Sequence, residues 1–303
     1  YTDIDKPSDY FNTVLYTGNA STQSITGVGF SPDFIWGKNR SSVTHHALVD
    51  TVRGNTKYVK SSTNAAEATI TNMVTAFGSD GFSLGADSDM NGSSANQVAW
   101  NWKAGTSFTN DASATGIGSI DSTGSVNTDA GFSIISYTGT ASAATVAHGL
   151  GAVPKMIIVK TRGSSGDWSV YHSSLGNTKN LKLNTTAAQQ TSASYWNNTT
   201  PTSSVFTIND EGNVNGSSVA MIAYCFAEKS GYSSMGQYTG NGNADGTFVY
   251  TGFKPAFVMI KKTDSAGNYW HIYDNKRSTS GSNVVDDVLY PNRSDAEYSE
   301  DRI

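Results

Sequence analysis

The chain has 303 residues, of which 37% are hydrophobic and 15% charged, with 30 Gly, 15 Tyr, 12 Phe and 6 Trp. Such apolar content can bury a sizeable core, which excludes a disordered chain, and a net charge of -5 with no block of either sign leaves no footprint for nucleic acid or an anionic membrane. No run reaches the roughly 18 apolar residues of a bilayer span, so no membrane insertion is expected, and the lone Cys225 makes no internal disulfide.

Residues 1–8 read as a lead-in without the basic and apolar regions of a signal peptide, as though cut from something longer. Residues 9–105 carry short alternating apolar runs, the signature of strands. This stretch opens on Tyr16-Thr-Gly-Asn19 and passes Pro32 into a strand ending at Lys38. It continues through His45-His-Ala-Leu-Val-Asp50 to Asn91-Gly92 and closes on Gln97-Val-Ala-Trp-Asn-Trp-Lys103. Only residues 64–75 have a helical period. Residues 106–128, rich in Ser, Thr and Gly, read as a connector.

The same phrases return in residues 129–229: Tyr137-Thr-Gly-Thr140, Pro154 before a strand to Lys160, Asp167-Trp-Ser-Val-Tyr-His172, Asn215-Gly216 and a closing strand over 220–227. They return again in residues 230–303, as Tyr238-Thr-Gly-Asn241, Phe248-Val-Tyr250, Pro255 before a strand to Lys261, and Tyr269-Trp-His-Ile-Tyr-Asp274. This third copy reaches Ile303 without a counterpart of Asn91-Gly92 or of the closing strand. The expectation is that further residues of a longer polypeptide, or a neighbouring subunit, complete it. The fold class is therefore all-β, with tandem β-sandwich-like repeat units in an elongated array. Tyr16, Tyr137 and Tyr238 should lie at equivalent strand ends, and Pro32, Pro154 and Pro255 just before equivalent strands.

Asp87, Asp89 and Asn91 alternate like the start of a calcium loop, but the twelfth position is Val98 instead of Glu, and a plain polar turn is the favoured reading. No other cofactor is expected. His45 and His46 would point to opposite faces of a strand, so His46 reads as a packing residue in the place of Trp168 and Trp270. Cys225 alternates with aromatic residues and reads as a small buried hydrophobe. Carboxylates such as Asp286, Asp287, Glu297 and Glu300 cluster outside the recurring phrases, so no catalytic residue is assigned and no enzymatic activity is expected. Trp168, Trp196 and Trp270 are the candidate ligand-binding rings, as stacking platforms for sugars or anchors for subunits. Recurrence marks Trp168 and Trp270 as core positions as well, which leaves Trp196, in a polar segment, the best candidate for an exposed ring.

The opening phrase 7–19, the phrase 29–40, Val98-Ala-Trp-Asn-Trp-Lys-Ala-Gly105 and Ile222-Ala-Tyr-Cys-Phe-Ala-Glu228 resemble a repeat of unknown function found in tail-fibre-like virion proteins of marine phages, cyanophages among them. The resemblance implies a structural virion protein, part of a tail fibre or appendage with a host-attachment role, and a homo-oligomer, commonly a trimer. Its partners would be other virion proteins and a host surface glycan or receptor. The alternatives are a capsid-decorating or head-fibre protein and a glycan-binding or glycan-cleaving receptor module.

Overall fold

The computed structural model describes residues 2–243, 245–278 and 285–299. Its elements are mostly short strands, as the Gly and Asn-Gly punctuation dictates. The first segment contains β1 (Phe11–Thr17), β2 (Gln23–Ile25), β3 (Phe34–Asn39), β4 (Ala47–Asp50), β5 (Lys57–Tyr58), β6 (Ala68–Thr69), β7 (Val74–Gly78), β8 (Gly81–Leu84), the helical turn α1 (Ser88–Asn91) and β9 (Asn96–Trp102). Four of these form an antiparallel sheet in the order β1-β9-β3-β4, with Thr13 and Trp36 both in register with Trp100 of the central strand β9. A smaller sheet, β2-β8-β7, covers one face of it.

Because strand side chains alternate between faces, the large sheet serves two cores. Ile35, Ala47, Val49 and Ala99 pack against Ile25, Val74, Phe82 and Leu84 of the small sheet. Phe34, Trp36, Val98, Trp100 and Trp102 point the other way, into a core that draws on the whole chain.

The second segment begins with β10 (Thr106–Asn110), the turn α2 (Ala112–Thr115) and β11 (Ser122–Asn127). It continues with β12 (Phe132–Thr138), β13 (Ala144–Ala147), β14 (Met156–Thr161), β15 (Ser169–His172), β16 (Lys179–Lys182), β17 (Gln190–Thr191), α3 (Ala193–Trp196), β18 (Val205–Ile208), α4 (Gly212–Asn215) and β19 (Ala220–Phe226). The core of its large sheet repeats the first, with β19 between β12 and β14 and β15 beyond, and the pair β13-β18 supplies the small outer sheet. Residues 106–128, expected as a plain connector, instead add β10 and β11 to the edge of β12. Alternating Ser and Thr can line a solvated strand edge as readily as a linker, so composition alone does not separate the two.

The third segment has β20 (Phe257–Lys261) paired with β21 (Trp270–Asp274), and β22 (Asp287–Val288) paired with β23 (Tyr298–Ser299). Ile158, Trp168, Val170, Ile222 and Tyr224 of the second segment, with Trp270, Ile272 and Leu289 of the third, join the aromatic residues of the first in one shared core. Phe34 stacks on Tyr224 at 4.4 Å and lies 6.1 Å from Phe132, so rings of different segments interdigitate. The all-β expectation holds. All three segments contribute to one core, and the strand pairing alone does not show an elongated array of sandwich-like units.

Pro32, Pro154 and Pro255 each stand two residues before β3, β14 and β20, and Tyr16 and Tyr137 are the penultimate residues of β1 and β12, as the phrases imply. Tyr238 differs: it is half exposed in irregular backbone, and so is Val249, while Phe248 and Tyr250 beside it are more than four-fifths exposed, although the pattern marks 248–250 as a strand. β12 and β13 pair with β19 and β18, and no described residue of the third segment supplies counterparts of those two strands. An extended segment without a ladder partner stays solvated coil. Residues 64–75 form no helix, since β6 and the start of β7 occupy them.

Candidate functional site

Where the three segments meet, two clusters of charged side chains are built to the same plan. In the first, Asp50 ends β4 and Arg53 follows one turn later, which directs both side chains inward. Asp50 accepts from the Arg53 backbone N–H at 2.8 Å and from Arg53 Nε at 2.6 Å, while Arg53 Nη2 donates to the Leu48 carbonyl. Arg53 Nη1 reaches Glu67, which Arg162 of the second segment also grips through Nε and Nη2. Tyr224, from the neighbouring segment's β19, donates its hydroxyl to Asp50 at 2.8 Å.

The second cluster repeats every contact with other residues. Asp274 accepts from the Arg277 N–H and Nε, Arg277 Nη2 donates to the Ile272 carbonyl, and Arg277 Nη1 donates to Glu297 at 2.6 Å. Arg40 of the first segment holds Glu297, and Trp100 of β9 donates its indole N–H to Asp274 at 2.9 Å, in the place of Tyr224. Burial alone would favour the neutral form of Arg53, but Asp50 and its neighbours more than offset it, so the guanidinium stays charged with its pKa raised. All four groups of the two Asp–Arg pairs have fully buried side chains, where a charge persists only when paired and hydrogen-bonded.

The third junction has the same backbone geometry with neutral residues. His172, Leu175 and Gln189 stand where the first segment has Asp50, Arg53 and Glu67. The Gln189 N–H donates to the Thr263 carbonyl at 2.8 Å, as Glu67 does to Arg162 and Glu297 to Arg40. Indole groups add a further set: Trp168 donates to the Lys60 carbonyl and Trp270 to the Lys182 carbonyl, both at 2.9 Å. His46, in the corresponding place, accepts from Trp36 Nε1 at 3.0 Å and stacks on Trp100. Its other nitrogen faces the Tyr290 backbone without hydrogen-bond geometry, and burial followed by the Lys38 charge holds its pKa well below the usual histidine value. His46 is the packing residue expected.

The three candidate ring residues are placed otherwise than a ligand platform requires. Trp168 is 0%, Trp196 1% and Trp270 4% exposed. Trp196 lies in α3, whose turn folds Tyr195 and Trp196 inward onto Tyr171 while its polar neighbours face out, so a polar segment did not mean an exposed ring.

Two of the three candidate calcium ligands, Asp87 and Asn91, have side chains engaged by the fold itself. Asp87 caps α1, accepting from the Asp89 N–H at 2.9 Å. Asn91 is fully buried: its carbonyl oxygen accepts from the Asn19 N–H and its amide donates to the Ser21 and Gly85 carbonyls. Asn215 makes the same set with the Thr140 N–H and the Ser142 and Asn209 carbonyls. Each such Asn pins the loop after the opening strand to the turn before the closing strand, and Gly18 and Gly139 permit the approach, since a Cβ there would lie 2.1 and 2.3 Å from the Gly92 and Gly216 carbonyl oxygens. Among the described residues no group of three or more His, Cys, Asp or Glu side chains could hold a metal ion, and no helix is long and apolar enough to cross a membrane. Cys225 is buried, its thiol pushed up to about 12 by desolvation.

Sequence reasoning marked Lys38 and Lys160 only as strand ends and missed their burial; each is the penultimate residue of its strand, β3 or β14. Lys38 and Lys160 are 0% exposed and donate to main-chain carbonyls, Lys38 to Asn39 and Ser42 and Lys160 to Gly166 and, across the segment boundary, to Asn64. Burial pushes both from the ordinary 10.5 down to about 8. Between those values the unfolded chain holds protons that the folded chain has released, so stability rises with pH across that window and the burial cost is fully present below it. Urea denaturation at about pH 7.5 and 9.5 should show the gain, and the Lys38→Met/Lys160→Met double variant should lose most of it. An unaltered gain in that variant would assign the effect to other groups.

One family model matches the chain, a domain of unknown function designated DUF7483, over residues 6–303. No curated protein and no solved structure matches it.

Proposed function

We propose that this chain, which belongs to the DUF7483 family, is a structural virion protein of a marine phage, part of a tail fibre or appendage that takes part in host attachment. In this reading residues 9–105, 129–229 and 230–303 are three copies of one β-unit in tandem, packed around a common core, and the chain works by its surface and its assembly with copies of itself and other virion proteins. The observation that carries it is the use of the buried charges. Asp50, Arg53, Glu67 and Arg162, like Asp274, Arg277, Glu297 and Arg40, are bound to each other across segment boundaries. Groups committed in this way hold a scaffold together and are not poised for proton transfer. The resemblance of its recurring phrases to tail-fibre-like repeats supports the biological setting of this reading.

Electron microscopy of intact virions labelled with an antibody to this chain tests the proposal. Label on the tail appendage is the expected result. Label on the head would shift the reading to a capsid-decorating protein, and unlabelled virions would sink it. In parallel, the protein should release no reducing sugar from host polysaccharide.

A further inference from the structure

The seams between the segments run in one direction around the molecule. The Glu67 N–H of the first segment donates to the Arg162 carbonyl of the second, the Gln189 N–H of the second to the Thr263 carbonyl of the third, and the Glu297 N–H of the third to the Arg40 carbonyl of the first. Indole donors run the same circuit in reverse. Trp168 of the second segment reaches the Lys60 carbonyl of the first, and Trp270 of the third reaches the Lys182 carbonyl of the second. His46 of the first faces the Tyr290 backbone of the third, which completes the set. Lys60, Lys182 and Tyr290 are equivalent, because each follows a member of the matching cross-strand pairs Leu48–Val59, Val170–Leu181 and Ile272–Leu289, all buried in the shared core.

A contact between unlike faces builds an open filament unless the rotation from one unit to the next closes, and then it builds a ring. Here it closes. The backbone passes from the first segment to the second and from the second to the third, whereas the third meets the first through non-covalent contacts between positions far apart in the chain. That last seam is fully made: Arg40 Nε holds Glu297 at 2.9 Å, Trp100 donates to Asp274, and the Ser61 hydroxyl donates to the Pro291 carbonyl at 2.6 Å. The matching family model also runs through all three segments.

We infer that the chain is a closed ring of three segments about a pseudo-three-fold axis, in which the third segment occupies the face of the first that a second copy would otherwise take. The inference rests on the repeat reading proposed above. One chain stands in for a homotrimer and is monomeric through these seams, in contrast to the trimer that the resemblance implies, so assembly with further copies falls to the outer surface. A single chain also lets the seams differ. The first–second and third–first seams hold buried Asp–Arg pairs, while the second–third seam has His172 and Leu175 in their place, and identical copies would carry three identical seams.

The probes are cysteine pairs placed across each seam of the full chain and joined by a short bifunctional thiol reagent: Glu67→Cys/Arg162→Cys, Gln189→Cys/Thr263→Cys and Arg40→Cys/Glu297→Cys. Ser61→Cys/Pro291→Cys is a second pair across the third–first seam that leaves its charged side chains in place. All four should give links within one chain in about tenfold or greater excess over links between chains, since each partner is held at intramolecular effective concentration. The unaltered protein should have the light-scattering mass of one chain. Chain-to-chain links at the third–first pairs, together with a threefold mass, would overturn the inference by placing that seam between copies. Third–first pairs that stay unlinked while the other two seams link would also overturn it, by opening the ring, and would leave the repeat relation standing. An unlinked Gln189–Thr263 pair beside links at both charged seams would instead remove the three-fold relation, and with it the repeat reading.

Discussion

Replacing Asp50 with Ala should destabilise the protein by about 3–5 kcal/mol, because it leaves the guanidinium of Arg53 buried without its main counter-charge. Arg53 would keep Glu67 at 3.3 Å, a weaker contact than the 2.6 Å bond from Nε to Asp50. The substitution also removes the acceptor of the Tyr224 hydroxyl, so the loss reaches across the segment boundary. Urea denaturation would measure it, with Asp50→Ala/Arg53→Met as the second corner of a double-mutant cycle. The double variant should recover part of the loss, since an apolar pair of similar volume carries no desolvation penalty. A double variant as unstable as the sum of its parts would mean that the ion pair contributes little and that packing alone decides the site.

The second large effect is expected at the two buried asparagines. Asn215→Ala leaves the Thr140 N–H and the Ser142 and Asn209 carbonyls without their side-chain partner. At roughly 1–3 kcal/mol for each buried group left unsatisfied, a loss of about 3 kcal/mol or more follows. Asn91→Ala should cost a similar amount through Asn19, Ser21 and Gly85. Asn→Asp at either place should be no milder, because a carboxylate cannot donate to the two carbonyls its amide now serves. Thermal or urea unfolding of the four variants checks this, and a tolerated Asn215→Asp would show that water can replace the amide.

What could be read from the sequence follows from the range of the interactions involved. Pro32 and Pro154 stand two residues ahead of β3 and β14, and Asn91-Gly92 and Asn215-Gly216 mark the turns that precede the closing strands, because each signal is settled within a few residues of chain. The charged junctions were legible only in part. Asp50-Thr-Val-Arg53 and Asp274-Asn-Lys-Arg277 repeat an Asp and an Arg three apart, but the second segment breaks the pattern with His172 and Leu175. Arg40 and Arg162 recur two residues after Lys38 and Lys160, but each grips a carboxylate of another segment, and that pairing cannot be read from spacing. Exposure of Trp196 was misjudged for a related reason: the hydrophilic residues around it describe the outside of a short turn and say nothing about which core receives the ring. Irregular backbone at Tyr238 and at 248–250 is a matter of missing partners, which a local pattern does not register.

The contact between Arg40 and Glu297 spans 257 positions of the chain, and the ring stacking of Phe34 on Tyr224 joins its first and second segments. Synthesis on a ribosome therefore releases the first segment with Phe34, Trp36 and Trp100 still uncovered, since the residues that cover them are translated later. Non-local contacts of this kind slow folding and lengthen the time during which apolar strands are open to misassociation. Maturation of this chain is accordingly a late, concerted event, and a nascent chain halted within the second segment should depend on chaperones and be cut readily by protease. The finished molecule should resist cleavage except in the exposed irregular backbone around residues 238–250.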